Sequence, residues 1–216
     1  DGTSFLPFRE GTIEFFLRPS WSTIDLPLKS KTICRMGVQS GDPWVLSYNM
    51  APRDPDASQD FYLSHCLYGY FMAREPSDVR HSMRIYRRTV FDADEWVHIA
   101  WVWGRRNGIL PGGGHTKPKD NVLLAELYVN GRRGQHYNYK WFENLPDDIP
   151  NSFSMYSLDA GVDELRVSDV QRYTEDFEPP SAQFTLDEHT RALFHFDGNV
   201  EGRSHGQTGA VAGEVK

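Results

Sequence analysis

The acidic residues are the first place to look for catalysis in this sequence. Two carboxylates on one strand face could divide glycosidic chemistry, one attacking while the other donates a proton. The chain holds no Glu-x-Asp-x-x-Glu stretch that would supply them. Asp163 and Glu164 are adjacent, which on a strand sends them to opposite faces. Glu14 stands alone on its own run. No Ser, Cys or His sits in a nucleophile signature, and the eight His show no shared-face spacing for a transition metal. Gly112-Gly113-Gly114 lacks the Gly-Lys-Ser/Thr ending of a phosphate loop. The expectation is a chain that is not an enzyme.

Aromatic rings and guanidinium groups offer recognition chemistry instead. Tyr137, Tyr139 and Trp141 alternate, so an extended backbone projects all three one way. Such rings present a negative face to carbohydrate C–H bonds and, in Tyr and Trp, a polar handle. Trp21 and Trp44 adjoin turn residues and are further candidates. A basic run holds Arg80, His81, Arg84, Arg87 and Arg88. On a strand Arg84 and Arg88 share a face with Tyr86, while Arg87 lies opposite. Their forks suit the carboxylate or sulfate of an acidic polysaccharide. Each feature also has a structural reading: any one aromatic can be core, and a basic run can be the solvated face of a sheet.

What must position these residues follows from composition and pattern. The 216 residues fit one large domain, and no repeat or linker divides them. With 23 basic against 30 acidic residues the net charge is −7, which argues against nucleic-acid partners. No apolar run approaches the ~20 residues of a transmembrane helix, so no membrane insertion of that kind is expected. Cys34 and Cys66 have neither zinc nor Cys-x-x-Cys spacing. Pairing in an oxidising compartment and a reduced state in the core both remain open. The Asp-Gly-Thr-Ser start, without initiator Met or signal peptide, suggests a domain cut from a larger protein.

Strand-like runs recur between Gly, Pro, Asn and Asp. Thr12–Arg18 sets Ile13, Phe15 and Leu17 on one face and Glu14 and Arg18 on the other. Further runs are Lys31–Val38, Trp44–Tyr48, Phe61–Leu67, Met83–Tyr86, Trp96–Trp103, Val122–Val129, Gly161–Val167 and Arg191–Phe196. In Trp96–Trp103, the residues Val97, Ile99, Trp101 and Trp103 share one face. Asn130-Gly131 marks a hairpin turn. Residues 50–60, 104–121 and 131–151 read as long connections, where binding tends to sit. No stretch keeps a helical period, so the fold class is all-β, a two-sheet antiparallel sandwich.

Four segments together resemble the laminin-G-like jelly-roll group of the concanavalin A-like lectin/glucanase superfamily. They are Gly11–Pro19; Glu95–Trp101 with Leu127–Gly131; Val162–Ser168 leading to Arg172-Tyr173 and Pro179-Pro180; and Leu193–Gly198. The resemblance spans almost the whole chain and implies a jelly-roll sandwich over 1–216. It also implies a mostly non-catalytic domain that binds carbohydrate or protein, frequently with calcium. The calcium candidates it indicates are Asp163, Asp197 and Glu201, with Asn199 as a neutral helper. This chain departs from the family where relatives read Asp-Ser-Ser-Gly, having Glu201-Gly202-Arg203-Ser204. Arg203 offers an internal salt bridge in place of the ion.

The expectation is therefore a recognition domain of an extracellular, periplasmic or cell-surface protein, binding a glycan or polysaccharide. Tyr137, Tyr139, Trp141, Trp44, Arg84 and Arg88 would make the contacts, beside other domains of the same parent. A protein-interaction module is the alternative, and a glycoside hydrolase or polysaccharide lyase the remoter one.

Overall fold

Alternation of apolar and polar residues becomes a stack of two antiparallel sheets in the computed structural model. It describes residues 10–22, 31–38, 44–49, 66–74, 80–108, 119–138, 150–156, 159–198, 201–203 and 211–212. The strands are β1 (Gly11–Pro19), β2 (Lys31–Val38), β3 (Trp44–Asn49), β4 (Cys66–Arg74), β5 (Arg80–Arg88), β6 (Val97–Gly108) and β7 (Lys119–Val129). They continue as β8 (Arg132–Arg133), β9 (Gln135–Asn138), β10 (Pro150–Met155), β11 (Ala160–Ser168), β12 (Thr190–Phe194), β13 (Glu201–Arg203) and β14 (Val211–Ala212). One sheet runs β14-β13-β12-β11-β1-β6-β7-β8 and the other β10-β2-β3-β4-β5-β9. Among the described residues there is no helix. The fold is a two-sheet antiparallel jelly-roll sandwich.

Period-two side chains fill the space between the sheets. Ile13, Phe15 and Leu17 from β1 meet Val97, Ile99, Trp101 and Trp103 from β6, all buried. Leu46, Tyr48, Leu67 and Ile85 close the layer from the six-stranded sheet. Trp101 and Trp103 are fully buried; truncating such a ring costs roughly 3–5 kcal/mol. Trp21 belongs here too. It is 8% exposed and packs on Tyr48 and Phe91 at 5.6 and 5.4 Å between ring centroids, so it is core and not a binding candidate.

Sequence and structure differ in four places. The run expected at Phe61–Leu67 is a strand over Cys66–Arg74, with residues 61–65 outside the described set. The connection expected at 131–151 carries β8 and β9 and reaches the start of β10. The connection expected at 104–121 is shortened from both ends by β6 and β7. The run Asp163–Val167 is not a plain alternation: Glu164 has φ +53°, and β11 pairs Arg166 with Glu14 but Asp163 with Phe16. One extra residue in β11 is a β-bulge, and it puts Arg166 and Asp163 on the same side of the sheet.

Cys34 is a free, buried thiol. It lies opposite Leu46 of β3, whose other neighbour β4 begins at Cys66 opposite Asn49. Two strand spacings across and three residues along put the two Cα atoms roughly 14 Å apart, beyond the ~7 Å limit for a disulfide. Burial pushes the Cys34 thiol well above the usual range, against a weaker opposing hydrogen bond with the Leu46 backbone. Cys34 is therefore expected to escape maleimide labelling in the native protein and to react only after unfolding, as read by peptide mass spectrometry. A labelled native Cys34 would contradict this placement.

Candidate functional site

The candidate binding residues and the candidate metal residues fall on different sheets. Trp44, Arg84, Arg88 and Tyr137 are all on the six-stranded sheet, in β3, β5, β5 and β9. Asp163 lies in β11, Asp197 follows β12 and Glu201 opens β13, all along the eight-stranded sheet. Tyr139 and Trp141 lie outside the described residues.

On the six-stranded sheet the backbone register brings two features together that are far apart in sequence. β9 pairs with β5, Arg84 opposite Asn138 and Ile85 opposite His136, with a register shift between the pairs. Tyr137 occupies that shift. The aromatic segment thus begins as an edge strand hydrogen-bonded to the basic strand. Across β4, Arg84 is paired with Tyr70 and Tyr86 with Tyr68. Those tyrosines pair in turn with Val45 and Ser47 of β3, both half-buried. The intervening row, Cys34, Leu46, Gly69 and Ile85, is buried. Arg88 is paired with Cys66 at the far end of β5, and Trp44 starts β3 opposite Met36. Arg87, one residue out of phase, donates Nη1 to the Arg133 carbonyl at 3.1 Å and so ties β5 to β8.

On the eight-stranded sheet a different group gathers that sequence reasoning missed. The face of this sheet opposite the core is covered by residues 169–189, which run across it without forming strands. Phe184 packs on Phe16 and His98 at 6.0 and 6.3 Å. Phe177 lies on Tyr128 at 5.5 Å and stacks with Tyr173 at 3.6 Å. Inside this second layer is Glu14, 0% exposed. Its Oε1 accepts from Arg166 at 2.9 Å (Nε) and 2.7 Å (Nη2), with Arg172 Nε at 3.8 Å. Its Oε2 accepts from Tyr173 at 2.7 Å and lies 3.3 Å from His98 Nε2. Burial alone would raise the pKa of this carboxyl. The His98 hydrogen bond, the Arg166 and His98 charges and the Tyr173 hydroxyl together hold it below the usual value. A carboxylate sealed from solvent and already satisfied by these donors cannot meet a substrate. It is a clamp that holds the covering segment on.

A second unanticipated contact sits at the bulge. Glu164 Oε2 accepts from the Phe184 amide at 2.7 Å, and Oε1 lies 2.8 Å from His195 Nδ1. Asp163 Oδ1 accepts from the Glu164 amide at 2.9 Å, and Asp197 Oδ2 from Gln183 Nε2 at 3.1 Å. Calcium takes about six to eight oxygens. Among the described residues no three metal-ligating side chains gather, and the Glu201 side chain lies outside them.

No family model matches the chain, and no curated protein matches it. Among solved structures, the heptameric SAP-like pentraxin from Limulus polyphemus is similar at 12% identity, over 78% of this chain and 68% of the pentraxin, with a TM-score of 0.41. That is a coarse resemblance, of fold alone.

Proposed function

We propose that this chain is a non-catalytic binding domain that recognises a glycan on the β5–β9 side of its six-stranded sheet. The observation that supports the reading is the pairing of β9 with β5, in which Arg84 stands opposite Asn138, the residue after Tyr137. An aromatic face for sugar C–H bonds and a guanidinium fork for carboxylate, sulfate or paired hydroxyls are complementary halves of one sugar site. Arg88 extends it along β5, and Tyr139 and Trp141, outside the described residues, are its further aromatic candidates. The reading places the parent protein in the extracellular, periplasmic or cell-surface space. A calcium ion at Asp163, Asp197 and Glu201 is a separate part of the proposal, on the other sheet, and the β5–β9 site is not routed through it.

The test is a glycan array screened with the folded protein, once with millimolar calcium and once with chelator. Hits that fall about tenfold in Arg84→Ala and Tyr137→Ala, equally in both buffers, are expected. Hits lost only in chelator would instead give the ion a direct role. An array without hits would move the reading to a protein-contact module.

A further inference from the structure

The covering segment does not reach the end of the sheet it covers. Phe184 packs on Phe16, whose strand neighbours are His98 and Asp163. One row further along β1 stands Arg18, paired with Gly161 of β11 and next in register to Trp96 at the mouth of β6. There the layer has ended: Trp96 is 42% exposed and Arg18 is exposed. The Arg18 guanidinium lies 5.0 Å from the centre of the Trp96 ring. Gly161 forms the floor, where an added Cβ would touch the indole at 3.6 Å and Arg18 at 3.8 Å.

This pair is held by its backbone. The Asp94 amide donates to the Pro19 carbonyl at 2.7 Å, and the Ser20 amide and hydroxyl donate to the Asp159 carbonyl at 2.8 and 2.6 Å. The Asp92 amide donates to Glu95 at 3.1 Å. Three chain segments are thereby fixed against one another, so little ordering remains to oppose binding. Among the described residues no carboxylate pairs with Arg18, and its recorded partner is the indole. Asp163, half-buried, is one row away on the same face, about 7 Å along the strands.

From this arrangement we infer that Trp96, Arg18 and Asp163 form a second glycan subsite, selective for a neutral sugar. An exposed ring, a donor fork beside it and a carboxylate acceptor one row away are what a hydroxylated ring requires. Among the described residues of these segments the exposed aromatic is Trp96, set among Ser20, Asp94, Glu95 and Asp159, a patch too small and polar for the apolar centre of a protein interface. The surrounding charge decides the sugar class. Among the described residues of these segments the carboxylates Asp94, Glu95 and Asp163 outnumber the cation Arg18, so a uronate or sulfate is repelled, whereas the β5 edge with Arg84 and Arg88 attracts one. The inference rests on the glycan reading but uses the opposite sheet.

Native affinity electrophoresis separates the two. The wild-type protein is run in gels containing laminarin, xylan or galactomannan as neutral glycans, or heparin as a sulfated one. Retardation by at least one neutral glycan should weaken about tenfold in Trp96→Ala and in Arg18→Ala, with heparin retardation unchanged. Arg84→Ala/Arg88→Ala should do the reverse. Near-ultraviolet circular dichroism confirms that each variant is folded. Neutral-gel retardation untouched by both Trp96→Ala and Arg18→Ala, or wild-type retardation by heparin alone, overturns the second subsite and leaves the β5 reading standing. Loss in the Trp96 and Arg18 variants, with Arg84→Ala/Arg88→Ala inert in every gel, supports the subsite and overturns the β5 reading. No retardation in any gel overturns both.

Discussion

Glu14→Ala is expected to cost about 3–5 kcal/mol of folding stability, the usual effect of removing one partner of a buried ion pair. The reason lies in what stays behind. Arg166, with 10% side-chain exposure, keeps its charge in the second layer beside Phe184, 4.2 Å from that ring. The Tyr173 hydroxyl loses its 2.7 Å acceptor. Against total stabilities of roughly 5–15 kcal/mol, the variant is marginal, and urea unfolding with an unchanged m-value measures the loss. Arg166→Met should cost less in the Glu14→Ala background than in the wild type, because the cation is then no longer needed. Equal costs in both backgrounds would mean that the two residues act separately. The clamp also sets a pH dependence. The folded pKa of Glu14 is depressed below 4.5, so its contribution is complete above that value and is lost as pH falls through the folded pKa.

The second large effect is expected at Gly131. The Asn130-Gly131 turn has φ +48° and +71°, the left-handed geometry of a two-residue hairpin. A Cβ added at Gly131 would sit 1.8 Å from the Phe177 carbonyl oxygen, while the Phe177 amide donates to the Gly131 carbonyl at 2.9 Å. Gly131→Ala must therefore strain the turn and also lift the covering segment, at about 2–4 kcal/mol. Gly198 supplies the control. Its φ is +81° and a Cβ there meets nothing within 4 Å, so Gly198→Ala should carry only the backbone part, about 1 kcal/mol. If the two alanines cost the same, contact with Phe177 contributes nothing and strain alone explains both.

The contrast between these glycines shows what could be read early. Asn-Gly announces a tight hairpin because few residues tolerate two consecutive left-handed positions, and that is local chemistry. Nothing local announces that Phe177, tens of residues later, lies against that turn. The core follows the same division. Period-two spacing placed Ile13, Phe15 and Leu17 with Val97, Ile99, Trp101 and Trp103, and all are buried. Trp21 stood open to both a binding and a core reading, because the residues beside it look like a turn, and its packing on Tyr48 and Phe91 makes it core.

Glu14 is the clearest case of a side chain whose role its own strand conceals. Alternation puts it away from the main core, and a lone acid on that face reads as solvated. It is buried because a segment without strand pattern folds over it, bringing Arg172 and Tyr173, while register sets Arg166 opposite it and a bulge at Glu164 turns Asp163 to the same side. A bulge adds one residue and has no composition of its own beyond an occasional Gly, which Glu164 lacks. On the other sheet, Tyr137 and Arg84 could each be recognised as recognition chemistry by residue type alone. That their strands are neighbours is the work of the β5–β9 pairing, which depends on strand order rather than on either segment.

The sequence by itself determined the all-β class, the inward faces of β1 and β6 and the Asn130-Gly131 hairpin. These depend on alternation and on backbone sterics, both of which act over a few residues. Only the tertiary structure decided which strands are neighbours, that Glu14 is enclosed, that Cys34 is too far from Cys66 to pair, and that Trp96 and Arg18 stand where the covering layer stops. Those outcomes depend on register and coverage between segments distant in the chain, and no short stretch of sequence encodes either.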